Sequence, residues 1–126
     1  MKVLMLNGSC NPKGCTYTAL TEVGKTLTSA GIDYEIVQLD GGPVRDCIGC
    51  NQCSKNGCVF TDDGVNDFIA KARQADGFVF GTPVYYAHPS GRVLSFLDRV
   101  FYAGGSAFAG KPGAAVASAR RAGTTA

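Results

Sequence analysis

The chain has 126 residues, of which 45% are hydrophobic and 17% charged, a composition that favours one folded domain over disorder. A formal net charge of +2 gives no indication of a nucleic-acid or anionic-membrane partner, since proteins that bind those usually carry a concentrated basic stripe. No apolar run approaches the roughly 18–20 residues of a membrane span, and residues 1–6 are too short for a signal peptide, so we expect a cytoplasmic protein with a small-molecule substrate.

The first third of the chain predicts a strand, a helix and a second strand. Lys2–Asn7 is a short, nearly continuous apolar run closed by Gly8, which suits a central strand buried on both faces. Thr16 is expected to cap a helix that ends at Gly31, where glycine is typical of a C-terminal cap. Residues 33–39 then predict the second strand.

The remaining elements continue the alternation. Asp62 and Asp63 are expected to cap a second helix, because carboxylates are stabilised at a helix N-terminus. Its apolar positions are Val65, Phe68, Ile69 and Ala72. Residues 77–81 predict a third buried strand, Ser90 the start of a third helix, and Gly113–Ser118 a fourth strand. The inward face of the third helix is predicted to hold Val93, Leu94, Leu97, Val100 and Phe101.

Strands that alternate with helices through short connections predict a doubly wound α/β domain, with a parallel sheet and helices on both faces. One domain over residues 1–126 is expected, with a cysteine-rich loop inserted at residues 43–63. The pattern stops just after the fourth strand, so we expect the C-terminal part of the fold to be missing from this sequence. A minimal four-stranded domain is the alternative.

The loop between the first strand and the first helix, residues 8–16, has the composition of a phosphate-binding turn. It combines glycine, hydroxyl and amide groups with one lysine. Backbone N–H groups at a helix N-terminus bind phosphate with little help from basic side chains. The loop lacks the nucleoside-triphosphate pattern, because Cys15 stands where that pattern has lysine. A polar turn without a ligand is the alternative.

The loop after the third strand is rich in aromatic residues and proline. Tyr85 and Tyr86 lie between Pro83 and Pro89, in a stiff segment that could present a ring or backbone amides to a planar cofactor. Packing of the two tyrosines in the core is the competing interpretation. His88, the one histidine, is a candidate proton donor or substrate contact, unless it is a surface residue without a role.

Four cysteines follow the second strand with the spacing Cys-x2-Cys-x2-Cys-x4-Cys. They are Cys47, Cys50, Cys53 and Cys58. In a reducing cytoplasm cysteines at ligand spacing are expected to bind a metal centre rather than form disulfides. Three cysteines at successive x2 intervals favour an iron-sulfur cluster over zinc, whose thiolate sites usually come as two separated knuckles. Free or paired thiols without a cluster remain an alternative.

Three segments carry a family resemblance. They are Gly8-Ser9-x4-Gly14-x-Thr16, Gly81-Thr82-Pro83-Val84-Tyr85-Tyr86 and Ser90-Gly91-x-Val93-Leu94-x-Phe96-Leu97-Asp98-Arg99. In this order they resemble the NADPH-dependent FMN reductase family of flavodoxin-like proteins, and the cysteine run resembles its iron-sulfur flavoprotein branch. The resemblance implies a flavodoxin-like sheet of order 2-1-3-4-5, here without strand five, and FMN at the carboxyl ends of the strands.

The resemblance also implies roles for individual residues. The FMN phosphate would be held by Ser9, Asn11, Gly14, Cys15 and Thr16. The isoalloxazine ring would lie along Pro83, Val84, Tyr85 and Tyr86, with Arg120, Arg121 and Gly123 near its pyrimidine edge. A 4Fe-4S cluster would be bound by Cys47, Cys50, Cys53 and Cys58. The chain departs from the family at two positions, since relatives often have arginine at Asn11 and asparagine or serine at Cys15.

Three functional hypotheses follow. The first is an FMN-dependent oxidoreductase whose 4Fe-4S cluster exchanges electrons with a ferredoxin-like partner. The second is an NAD(P)H-dependent FMN or quinone reductase without a cluster, in which NAD(P)H is the electron donor. The third, from another class, is a zinc-stabilised binding module without catalysis. The resemblance also implies a homodimer or homotetramer.

Overall fold

The computed structural model describes residues 1–39, 41–53 and 57–125. The described elements are β1 (Lys2–Asn7), α1 (Cys15–Ser29), β2 (Asp33–Gln38), α2 (Val65–Gln74), β3 (Gly77–Pro83), α3 (Gly91–Gly104), a 3-10 turn (Gly105–Ala107) and β4 (Gly113–Ser118). Within these ranges the strands form one parallel sheet of order β2-β1-β3-β4. This confirms the predicted flavodoxin-like order over the strands present. Among the described helices, none combines the length and the apolar character needed to cross a membrane.

The core is divided between the two faces of the sheet, as doubly wound folds require. Leu4 and Leu6 of β1 point to one face, where α2 and α3 pack, and Met5 points to the other, where Leu20 of α1 packs. All four side chains are at most 1% exposed. The alternation of side chains along β1 therefore gives the central strand a core on each side.

Two predicted helix caps are wrong. Helix α1 begins after Gly14, with no side-chain cap, and Thr16 is buried in its first turn. Helix α2 begins after Gly64, which has the left-handed φ of +78° that favours glycine. Asp62 and Asp63 instead pair with arginines in the folded protein. Local propensity did not reveal that these carboxylates have tertiary partners.

Helix α3 confirms its predicted cap and corrects its predicted inward face. The Oγ of Ser90 accepts a hydrogen bond from the backbone N–H of Val93 at 3.4 Å. Leu94 and Phe101 are 43% and 44% exposed, so their assignment to the core was wrong. The buried stripe of α3 comprises Val93, Phe96, Arg99, Val100 and Gly104. A charged residue therefore occupies a core position that the apolar pattern alone could not identify.

Candidate functional site

The carboxyl ends of β1, β3 and β4 bring three loops to one edge of the sheet. We call them the cradle loop (residues 8–14), the tyrosine loop (residues 84–90) and the arginine loop (residues 119–125). The N–H of Gly8 donates to the carbonyl of Gly81 at 2.8 Å, and the N–H of Val84 donates to the carbonyl of Ser118 at 2.8 Å. Ligand crevices of open α/β sheets lie at this edge.

Gly8 permits the close approach of the cradle loop to β3 and α3. A Cβ at this position would lie 1.8 Å from Cγ2 of Val93 and 2.8 Å from the carbonyl oxygen of Gly81. The second contact is with backbone and cannot be relieved by a side-chain rotation. The first motif therefore needs glycine here for packing, independently of any ligand.

A buried network of amide side chains fixes the shape of the cradle loop. Asn7 is fully buried; its Oδ1 accepts from the N–H of Ser9 at 3.2 Å, and its Nδ2 donates to Oε1 of Gln38 at 2.6 Å. Gln38 in turn donates to the carbonyl of Ser9 at 2.6 Å. The Oγ of Ser9 accepts from the N–H of Asn11 at 3.1 Å. Sequence reasoning missed Asn7 and Gln38, although both are polar residues at the ends of adjacent apolar strands.

The start of α1 is suited to an anion. In the described chain around Gly14, no side chain caps the helix and its first turn has no acidic residue. The leading N–H groups of a helix lack intrahelical acceptors, so they attract negative charge. Cys15 is exposed, whereas the hydroxyl of Thr16 lies 2.7 Å from Oγ of Ser118. The residues present fit a phosphate through backbone donors, and Thr16 also ties the helix to β4.

The tyrosine loop is exposed, which excludes the core-packing interpretation. Tyr85 and Tyr86 are 65% and 86% exposed. The hydroxyl of Tyr85 lies 3.1 Å from Sγ of Cys10, and this hydrogen bond raises the pKa of the Tyr85 phenol. Ala87 has a φ of +57°, a backbone conformation that costs energy in a non-glycine residue and often occurs at functional sites. His88 is exposed in the same loop.

The arginine loop lies against the tyrosine loop. A Cβ at Gly123 would lie 3.0 Å from Cγ1 of Val84, and the φ of Gly123 is +100°. Arg120 and Arg121 are exposed on the same loop, and Pro83 is buried at the end of β3. The structure thus brings the residues assigned to the ring of FMN to the edge that also carries the cradle loop. Exposed aromatic rings, loop amides and nearby positive charge fit a flavin.

The four cysteines of the run line one narrow cleft, which we call the cysteine cleft. Its lining comprises Cys47, Ile48, Cys50, Cys53, Cys58, Val59, Phe60, Arg99 and Tyr102. Cys58 is buried and the other three thiols are half-buried. The volume of the cleft is about 10 Å³.

The described residues contain no group of three His, Cys, Asp or Glu side chains close enough to bind a metal ion. A single zinc ion needs four donors that converge on one point. A cubane cluster instead takes its four thiolates at separate irons, so that the sulfurs surround a volume. Among the described residues, the four thiols line a shared cleft and do not converge on one point as the ligands of a zinc ion must.

Arg99 lines the cysteine cleft and is 2% exposed. Its Nε donates to Sγ of Cys58 at 3.2 Å, and its two terminal nitrogens form a bidentate pair with the carboxylate of Asp63. The same nitrogens donate to the carbonyls of Arg45 at 3.2 Å and Phe60 at 3.3 Å. Burial disfavours the charge, but the bonds to Asp63 and Cys58 outweigh it and raise the pKa of Arg99.

Cys58 is also fixed by its backbone. Its N–H donates to Oδ1 of Asn66 at 2.8 Å, and its carbonyl accepts from Nδ2 of Asn66 at 2.8 Å. Sequence reasoning assigned no role to Asn66 and included Arg99 only as part of a motif. The available signal for Arg99 was an arginine within the apolar stripe of α3, between Phe96 and Val100.

The chain is similar in sequence to known flavoproteins. The sequence model of the family described as NADPH-dependent FMN reductase matches residues 1–126. An iron-sulfur flavoprotein of Methanocaldococcus jannaschii is 35% identical over 100 residues, which cover 79% of this chain and 51% of that protein. An iron-sulfur flavoprotein of Archaeoglobus fulgidus is 33% identical over 99 residues, covering 79% and 48%. The chain spans about half the length of these relatives.

Solved structures agree on the fold. The structure of RosB with a bound intermediate, 8-demethyl-8-formylriboflavin-5'-phosphate, superposes with a TM-score of 0.67 over 99% of this chain and 54% of RosB. The two sequences are 16% identical. At this identity the similarity supports the flavodoxin-like architecture alone.

Proposed function

The chain belongs to the NADPH-dependent FMN reductase family, and from that premise we propose that it is an FMN-dependent oxidoreductase that transfers electrons through a 4Fe-4S cluster on the Cys47–Cys58 loop. The observation that carries the proposal is the lining of one cleft by all four cysteines. The two archaeal relatives, both named iron-sulfur flavoproteins, also support the proposal.

The cradle loop and the start of α1 would hold the FMN phosphate. Ser9, Asn11, Gly14, Cys15 and Thr16 are the proposed contacts, and most of the binding would come from backbone N–H groups at the helix N-terminus. Asn11 and Cys15 are both exposed beside this turn. The network around Asn7 keeps the loop in shape before the ligand arrives, which reduces the entropic cost of binding.

The tyrosine and arginine loops would hold the ring. Pro83, Val84, Tyr85 and Tyr86 are the proposed contacts, with Arg120, Arg121 and Gly123 at the pyrimidine edge. Positive charge at that edge favours the anionic reduced flavin. His88 is a weaker candidate for moving a proton, since it is exposed in the tyrosine loop and its Nδ1 already contacts the carbonyl of Pro89.

Bound FMN would supply two-electron chemistry, and a cluster bound by Cys47, Cys50, Cys53 and Cys58 would supply one-electron transfer. Cys58 is the ligand that the fold holds most firmly, because Asn66 fixes its backbone and Arg99 donates to its sulfur. The three half-buried cysteines would close around the cluster from the solvent side. We also propose that the redox partner is a ferredoxin-like protein or a small molecule. The proposed oligomeric state is a homodimer or a homotetramer.

The described residues place no three Cys, His, Asp or Glu side chains for a metal ion, which favours one alternative, a reductase of FMN or quinones that uses NAD(P)H and carries no cluster. In that case the flavin site would be unchanged and the cysteines would remain thiols. The two functions differ in iron content and not in flavin content.

Purification without oxygen, followed by cluster reconstitution and analysis of iron, acid-labile sulfide and flavin, tests the proposal. The expected protein is brown and holds FMN, and Cys53→Ser is expected to lose iron while it keeps FMN. Cys10→Ser is the matched control for iron content, because Cys10 lies outside the cysteine cleft. A yellow protein without iron that NAD(P)H bleaches would establish the cluster-free alternative. A colourless protein would refute both.

A further inference from the structure

Arg99 donates five hydrogen bonds to residues that the structure describes, as many as it has N–H groups. An arginine has five N–H donors, and this side chain donates to the Cys58 sulfur, the Asp63 carboxylate and the carbonyls of Arg45 and Phe60. Two of these acceptors lie on either side of the cysteine run, in residues 45 and 60. The guanidinium therefore joins both ends of the cysteine loop to α3 and also contacts one of its sulfurs.

The bond to sulfur is in a buried setting. Cys58 is 8% exposed and Arg99 2%, and the ring of Phe60 lies 5.1 Å from the centre of the guanidinium. Because both side chains are buried, a charge there acts more strongly than it would in solvent. Asp63 neutralises the far side of the guanidinium, while Nε faces Cys58.

We propose that Arg99 positions Cys58 as the fourth cluster ligand and sets the reduction potential of the cluster through its N–H···S hydrogen bond. The inference rests on the proposed function. Hydrogen bonds to cluster sulfurs and nearby positive charge stabilise the reduced cluster, which is the more negative form, and thereby raise the potential. The alternative is that Arg99 only fastens the loop.

Two variants separate these roles. Arg99→Lys keeps the positive charge but loses the planar fork that reaches Cys58 and Asp63 together. The double variant Arg99→Met with Asp63→Leu removes both charges, so that no buried charge is left without a partner. Asp62→Asn is the matched control, because Asp62 lies on the same loop in an exposed pair with Arg45.

The measurement is a redox titration of the reconstituted full chain, followed by the EPR signal of the reduced cluster, with iron content and far-UV circular dichroism on the same samples. Arg99→Lys and the double variant are expected to shift the midpoint potential to more negative values, the double variant by more, while Asp62→Asn leaves it unchanged. Loss of iron from a folded variant that keeps FMN would support the positioning role.

Retention of the cluster at the wild-type potential in both variants would overturn the inference and leave the proposed function intact. A wild-type protein that takes up no iron would instead refute the proposed function, and with it the role of Arg99 toward a cluster. The two failures are therefore told apart by the wild-type sample alone.

Discussion

Replacement of Asp63 by Asn is expected to destabilise the protein strongly, whereas replacement of its neighbour Asp62 is not. The side chains of Asp63 and Arg99 are 5% and 1% exposed, and those of Asp62 and Arg45 are 62% and 47% exposed. Removal of one partner from a buried pair leaves an uncompensated charge, which costs about 3–5 kcal/mol. Water and salt screen the exposed pair, so its loss is expected to have no measurable effect.

The loss predicted for Asp63→Asn is a large share of the roughly 5–15 kcal/mol by which native proteins are stable. Urea unfolding followed by far-UV circular dichroism measures it, with each variant at the same cofactor loading because ligands add to stability. The double variant Arg99→Met with Asp63→Leu is expected to recover most of the stability, since both charges are then absent.

The reasoning would be refuted if Asp63→Asn and Asp62→Asn unfolded at the same urea concentration as the wild type. That result would mean that solvent reaches Arg99 in solution and satisfies it without Asp63. A loss in Asp63→Asn that the double variant did not recover would show that shape, and not charge, makes the pair necessary.

Two further predictions concern the surface and the cradle loop. Hydrogen bonds from Lys2, at 2.6 Å, and from Lys71 lower the pKa of Glu35. The ionised Glu35 side chain therefore stabilises the fold at pH values above the ordinary glutamate pKa of about 4.3. This stabilisation disappears as the pH falls through the lowered pKa. We expect Glu35→Gln to lower the stability by no more than about 1 kcal/mol, because Glu35 is partly exposed. The difference from the wild type should vanish in acid, as measured by thermal unfolding at a series of pH values. A difference that grew in acid would contradict it. In the cradle loop, Gly8→Ala places a Cβ 1.8 Å from Cγ2 of Val93. This overpacking is expected to lower the free energy of unfolding by about 1–3 kcal/mol and to weaken the binding of FMN, measured by fluorescence titration. Unchanged affinity and stability would show that the loop can shift without cost.

The sequence predicted the sheet because each strand has a recognisable local pattern of apolar residues. Lys2–Asn7 and Gly113–Ser118 have the predicted bounds, and the parallel order of the strands follows from the alternation with helices. The loops of the candidate flavin site were found for the same reason. Residues at the carboxyl ends of parallel strands meet at one edge, so their place along the chain determines their place in space.

Caps and buried charges could not be predicted in this way, since they depend on partners that are distant in the chain. Asp63 has the local pattern of a helix cap, yet its partner is Arg99, 36 residues away. Leu94 and Phe101 fit an apolar stripe, and only the packing of α3 shows that Arg99 takes the buried position instead.

The sequence by itself determined the fold class, the family resemblance and the spacing of the four cysteines, because periodicity and spacing are local properties. The tertiary structure decided which groups surround those cysteines. It placed an arginine charge against Cys58, at a depth where water no longer screens it, and a carboxylate beside that charge to make its burial tolerable.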